Sequence, residues 1–192
     1  MGRKATITKE IILKTAFDML LKDGYAAINV KTLAAEIGCS TQPIVWHFEN
    51  MDGFRDAFLE YCVTYAKTLF TVWYGSLDDL LAETARVYIT IACNTPNLFR
   101  FIFIDSREVL KNTGTVLELQ SDNTQRITDL LRWEKGLSES QVQSFLTNYE
   151  IYIHGLASYI AAGFYTFSEE DLIRMTLQAK DAFLSHLSSP SA

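Results

Sequence analysis

Between Asn29 and Phe48 the chain has only twenty residues, and they must hold two short helices joined through one Gly38-Cys39-Ser40 step. Asn29 is a strong N-cap type, Val30 to Ile37 places Leu33, Ala34 and Ile37 on one side, and Gly38 suits the left-handed conformation that ends a helix. Ser40 then caps a third helix, Thr41 to Phe48, in which Pro43 is tolerated because a first-turn residue has no intrahelical N–H bond to lose. So short a connection forces the two helices to cross steeply, as in a helix-turn-helix.

Helix punctuation continues on both sides of this pair. Thr8 can cap a first helix reaching about Asp23, with Ile12, Ala16, Met19 and Leu20 inward and Gly24 as its left-handed terminator. Asn50 can cap a long fourth helix to about Tyr74, where Phe54, Phe58, Tyr61, Cys62, Tyr65, Leu69 and Trp73 recur at three- and four-residue spacing. A fifth helix from Asp78 stops at Asn94, and Thr95 with Pro96 opens a short sixth containing Phe99, Phe101 and Phe103. Residues 105–114 read as a loop, and a seventh helix follows to Lys135-Gly136. Ser138 with Gln141 forms a capping box for an eighth helix to about Thr166. Ser168 caps the ninth, with Leu172, Ile173, Leu177, Phe183, Leu184 and Leu187 inward and Arg174 and Lys180 on the wet side.

No stretch alternates with period two for long enough to form a sheet, and 48% hydrophobic residues with 9 Gly and 3 Pro exclude a disordered or collagen-like chain. The expectation is an all-α protein of about nine helices, with a three-helix head over residues 1–50 and a six-helix body over 51–192.

Net charge is −6, which argues against wholesale polyanion binding, yet residues 1–48 set Arg3, Lys4, Lys9, Lys14, Lys22 and Lys31 against only Glu10, Asp18, Asp23 and Glu36. Residues 1–48 are therefore net +2 and the remainder net −8. Cys39, Cys62 and Cys93 are odd in number and lie 23 and 31 residues apart, a spacing that suits neither a disulfide framework nor a zinc site. Reduced thiols and a cytoplasmic location follow as expectations. Lys14, Asp18 and Lys22 interrupt any secretory apolar core, and the longest uncharged stretch, Ile151 to Ser168, carries His154, Gly155, Ser158 and Gly163 and makes a poor membrane span. There is no Gly-rich phosphate loop, no H-E-x-x-H and no G-x-S-x-G, so neither an enzyme nor a cofactor or metal site is expected. The acidic pairs Asp78-Asp79 and Glu169-Glu170 fall at helix starts, where the macrodipole favours negative charge.

In a helix-turn-helix the second helix enters the major groove and presents its N-terminal side chains to base edges. Here it offers Ser40, Thr41, Gln42, Trp46 and His47; Gln42 can pair bidentately with adenine, and Ser and Thr can bond bases or phosphates. Lys31 and the early cations Arg3 and Lys4 can supply sequence-independent phosphate attraction. Trp46 and His47 have a plainer alternative role, anchoring the third helix on the first two.

The run from Ile12 to Phe58, with A-x3-L-x3-GY at Ala16 to Tyr25, V-x2-LA-x2-IGCS at Val30 to Ser40 and I-x-WHF at Ile44 to Phe48, resembles the tetracycline-repressor (TetR) family. That resemblance implies a homodimeric transcriptional regulator, usually a repressor, which releases a palindromic double-stranded DNA operator when a small molecule enters its helical body. It matches Lys31 to a base-contacting position and Ser40, Thr41, Gln42, Pro43, Trp46 and His47 to the recognition helix. Val45 stands where the family's phosphate-binding Tyr is usual, Pro43 replaces a Thr, and Glu49 and Met51 replace basic residues. Fewer phosphate contacts would flatten the salt dependence, at about 0.9 in slope per phosphate. The rival reading is an adaptor or coactivator of the same fold that binds another protein.

Within the body, aromatic residues at helical spacing are mainly packing, but ligand sites between bundle helices are apolar with few polar groups. Phe70, Tyr88, Phe103, Tyr149 and His154 are the candidate contacts for a small apolar or aromatic ligand, and Arg100 reads as solvated. Ile151 to Phe167 is apolar around most of its circumference, which points to a homodimer through helices eight and nine.

Overall fold

The computed structural model describes residues 7–70, 74–106, 121–164 and 166–188. Among these, every regular element is helical: α1 (Lys9–Asp23), α2 (Val30–Ile37), α3 (Gln42–Phe48), α4 (Met51–Thr68), α5 (Leu77–Asn94), α6 (Pro96–Arg100), α7 (Ser121–Trp133), α8 (Glu139–Ala161) and α9 (Glu169–Ser188). A 3₁₀ turn covers Tyr25–Ala27, and a π turn, Phe101–Asp105, runs on from α6. The all-α expectation holds. Arg3, Lys4, Trp73 and most of the expected 105–114 loop lie outside the described residues. No single helix among the described residues is long and apolar enough to cross a membrane.

The chain forms two compact units, Met1–Ala66 with Asn97–Val109, and Lys67–Pro96 with Leu110–Ala192. In the first, α1 buries Ile12, Leu13, Ala16, Phe17 and Leu20, while Met19 is half-buried. Gly24 has φ 80° and ψ 166°, so it turns the chain out of α1 in an extended positive-φ conformation instead of the left-handed helical one expected. An aromatic cluster fills this unit: Phe54 packs on Phe48 at 5.2 Å and on Phe58 at 5.4 Å, and Phe101 stacks on Tyr25 at 4.5 Å.

The junction between α3 and α4 is tight. Glu49 takes φ 64° and ψ −51°, and the Asn50 N–H donates to the Phe48 carbonyl at 2.7 Å, a three-residue γ-turn of the strained kind. Asn50 Oδ1 accepts from the Gly53 N–H at 2.9 Å, capping α4 as expected. A Cβ on Gly53 would sit 2.5 Å from the Phe48 carbonyl oxygen, so only glycine permits this approach. At its far end α4 stops at Thr68, short of Tyr74, where the Phe70 N–H closes back on Lys67 at 3.2 Å.

The second unit packs α5, α8 and α9 around Leu80, Leu81, Tyr88, Phe145, Tyr149, Ile153 and Leu172. Ser76 and Asp79 form a capping box at the start of α5, and the Ser76 hydroxyl and N–H hold the Asp79 carboxyl below the usual range. The Ser138–Gln141 capping box on α8 is present as expected. The helix ends at Ala161, not near Thr166, because Gly163 takes φ 76°, with its N–H on Ile160 and the Phe164 N–H on Tyr159. That pattern is a Schellman termination.

On α9, Ser168 accepts from the Asp171 N–H at 3.1 Å, the expected cap. Lys180 corrects the sequence reading: it is 6% exposed and donates to Asp78 at 2.7 Å, with Asp181 at 2.8 Å. Burial lowers its pKa, but the two carboxylates outweigh that and leave it raised.

Candidate nucleic-acid interface

Local capping builds the presentation of α3. Asn29 Oδ1 accepts from the Lys31 and Thr32 N–H groups at 2.9 and 3.1 Å, and Thr32 Oγ1 takes the Asn29 N–H at 3.0 Å. The hydroxyl of Thr32 also donates to the Ala27 carbonyl at 2.8 Å, fixing the entry to α2. At the other end Gly38 is left-handed (φ 75°, ψ 34°), its N–H bonds Ala35, and the Cys39 N–H bonds Ala34 at 2.9 Å. The turn between α2 and α3 is therefore a Schellman stop followed at once by a new helix.

The cap of α3 is Thr41, not Ser40, and no side-chain oxygen closes it. Pro43 explains why this is tolerated: sitting in the first turn, it removes one of the N–H groups that a cap would otherwise satisfy. Ile44 and Phe48, one turn apart, are buried. Ser40, Thr41, Gln42, Val45, Trp46 and Glu49 consequently face outward, with Trp46 77% and Val45 48% exposed. Pro43 is half-buried, and Lys31 is exposed on α2.

Of the two roles open to Trp46, exposure excludes the core one. His47 is different. It is half-buried, and its Nε2 lies 3.0 Å from the Ile7 carbonyl oxygen. The outward face of α3 thus offers an amide, two hydroxyls, two apolar groups and an acid, and no cation.

The body candidates are brought together only in part. Tyr88 and His154 share a hydrogen bond of 2.6 Å, and Tyr149 donates to the Leu81 carbonyl at 3.1 Å. Both phenols are fully buried, and burial pushes their pKa values up. Phe70 is half-buried just past α4. Phe103 belongs to the first unit, where it packs on Phe99 at 5.2 Å. Arg100 is exposed.

Two features escaped sequence reasoning, and only one of them carried a signal in the sequence. Lys180 falls four residues after Thr176 and eight after Leu172, on the buried side of α9, so helical spacing places it inward. The His47 contact with Ile7 spans 40 residues and has no local signal.

No protein-family model matches the sequence, and no curated protein does. Among solved structures, the fold matches an assigned member of the TetR family of transcriptional regulators from Rhodococcus sp., at TM-score 0.66 and 18% identity, over 90% of this chain and 96% of that one. At this identity the likeness is one of architecture: the chain has the TetR-type fold.

Proposed function

We propose that this chain is a homodimeric DNA-binding transcriptional regulator, acting as a repressor that leaves a palindromic operator when a small apolar or aromatic molecule enters its body. In this reading residues 1–50 are the DNA-binding head and 51–192 the ligand-binding and dimerisation body. One observation carries it. The inner side of α3 is anchored by Ile44 and Phe48, while Ser40, Thr41 and Gln42 at its start and Trp46 farther along are exposed, as is Lys31 on α2, and exposed side chains on an anchored helix are what base reading in a major groove requires.

Dimerisation is supported by the outer faces of α8 and α9. Ile151 is 66% and Tyr159 53% exposed on α8, and an open groove of about 570 Å³ along α9 has Ile173 and Leu177 between Glu169, Arg174 and Asp181. Two such pairs from two chains would make a four-helix interface. Sedimentation of a monomer at micromolar concentration would remove this part.

The DNA reading is tested by selecting bound fragments from genomic DNA with the purified protein, then titrating salt on the best site. Recovery of a palindrome with half-sites one helical turn apart is the expected outcome. Failure to enrich any sequence at low salt, with or without candidate ligands, would overturn it. The adaptor reading is favoured by one specific feature, the pairing of exposed Val45 and Trp46 with Glu49 on a face that has no cation. Such a composition suits a protein partner better than a polyanion.

A further inference from the structure

Trp46, at 77%, is the most exposed large apolar side chain among the described residues of the first unit, and its neighbour Val45, at 48%, comes next. A lone exposed apolar residue needs no explanation. Trp46 is not in that position, because it lies one helical turn beyond Gln42 on the same outward stripe of α3.

The indole is also held from within the chain. The His47 imidazole meets it edge-on, with ring centroids 4.6 Å apart and planes at 70°. His47 in turn is tied through Nε2 to the Ile7 carbonyl, 3.0 Å away; a carbonyl only accepts, so Nε2 carries the proton and donates. Ile7 precedes the N-cap Thr8, so its carbonyl lies outside the α1 ladder and is free to take this bond. A ring supported in this way has less rotamer freedom left to lose when a partner covers it.

The base edges of a major groove are polar donors and acceptors, with one apolar group among them, the C5 methyl of thymine. Trp46 brings an apolar ring with a single N–H donor, on a helix face that has no cation to spend on phosphates. Four residues span about 6 Å along a helix axis, and two base-pair steps take up about 6.8 Å. One stripe of α3 can therefore set the Gln42 amide on an adenine and the Trp46 ring on a methyl group no more than two base pairs away.

We infer that Trp46 reads the C5 methyl group of a thymine within two base pairs of the base read by Gln42, and that His47 is a positioning residue which, tied to Ile7, holds the indole for that contact. This role rests on the DNA-binding reading above and adds to it the group that is recognised and the support that makes recognition selective.

The test uses full-length protein and its best selected site, with each dT of one half-site replaced in turn by dU, which removes the methyl group and keeps the base pair. One replacement, within two base pairs of the position where Gln42→Ala relaxes base choice, is expected to weaken native binding about four-fold, the effect of burying one methyl-sized group. That dT-to-dU ratio should fall close to one in Trp46→Ala and below about two in His47→Ala, while Trp46→Phe, which keeps an aromatic ring, should retain about two-fold or more. A merely structural role for His47 would weaken the dT and dU sites alike and leave the ratio near four, with thermal unfolding reporting any loss of fold separately.

A native protein indifferent to every dU replacement would overturn the inference and leave the regulator reading standing on its palindrome. A full ratio in Trp46→Ala would overturn it too, by giving the methyl group to another side chain such as Val45. A full ratio in His47→Ala would strike out the positioning role. If the native protein enriches no sequence at all, the regulator reading falls first and this contact with it, and the exposed stripe of α3 passes to a protein partner.

Discussion

The two candidate surfaces treat their polar side chains in opposite ways. At the start of α3, the side chains of Ser40, Thr41 and Gln42 are exposed, and no side-chain bond closes the helix cap. Around α5 and α8, Tyr88, Tyr149 and His154 spend hydrogen bonds on one another or on the backbone, and the two phenols are fully buried. A helix that leaves polar groups uncommitted is available to an outside partner; a core that satisfies its own stays folded. Polar residues in an apolar helix are thus weaker pointers to a ligand than polar residues on an anchored, exposed one.

The sharpest way to break this contrast is stability. Tyr149→Ala deletes a fully buried ring and its bond to Leu81, and should cost about 3 to 5 kcal/mol in denaturant unfolding. Trp46→Ala, at 77% exposure, should stay within about 0.5 kcal/mol. Comparable losses from the two would show that Trp46 is structural after all. Next in size, Gln42→Ala should relax base choice at one position of the selected site by about 1 to 3 kcal/mol, read by competition between single-base variants. Uniform weakening across all sequences would remove Gln42 from the base-reading set.

Alkaline titration sharpens the other side. The buried Tyr88 and Tyr149 phenols have folded pKa values above the unfolded value near 10, so the stability they contribute is complete below that pH and is lost as pH rises toward the folded values. Each should subtract about 1.4 kcal/mol per pH unit above 10. Tyr149→Phe should reduce the steepness of alkaline unfolding by about one proton. A variant with the native slope would mean that Tyr149 is accessible to solvent, which would reopen it as a ligand contact.

These expectations start from a fold that is largely readable in its punctuation. Asn29, Gly38, Asn50, Ser138 and Ser168 act at helix ends as their residue types require, because capping is local chemistry between groups two to four residues apart. Gly163 shows the limit. Inside an apolar run, a glycine reads equally well as close packing or as a stop, and only its positive φ decides that α8 ends there. Lys180 shows another: a lysine is placed outward by default, and the opposing carboxylate that makes burial tolerable comes from Asp78, 102 residues away. The outward face of α3 was readable from Ile44 and Phe48, one turn apart. The inward turn of His47 depends on Ile7 and was not.

The smallest expected effect probes the position where the resemblance implies a phosphate-binding tyrosine and this chain has Val45. Val45 is 48% exposed on the outer face of α3, so Val45→Tyr would place its ring in open space without disturbing Ile44 or Phe48 beneath. A tyrosine there carries a hydroxyl donor of the type the resemblance assigns to phosphate at this position. A neutral donor positions the protein on the backbone without adding a cation. The variant should therefore tighten binding several-fold at all salt concentrations and leave the slope of affinity against salt almost unchanged, whereas Glu49→Lys, adding a cation, should steepen it by about 0.9. If Val45→Tyr instead weakens binding and shifts base preference, Val45 itself is touching bases, since an apolar side chain on this face can pack on a thymine methyl group. The recognition surface would then extend from Gln42 to Val45, with apolar contact in place of the phosphate anchor.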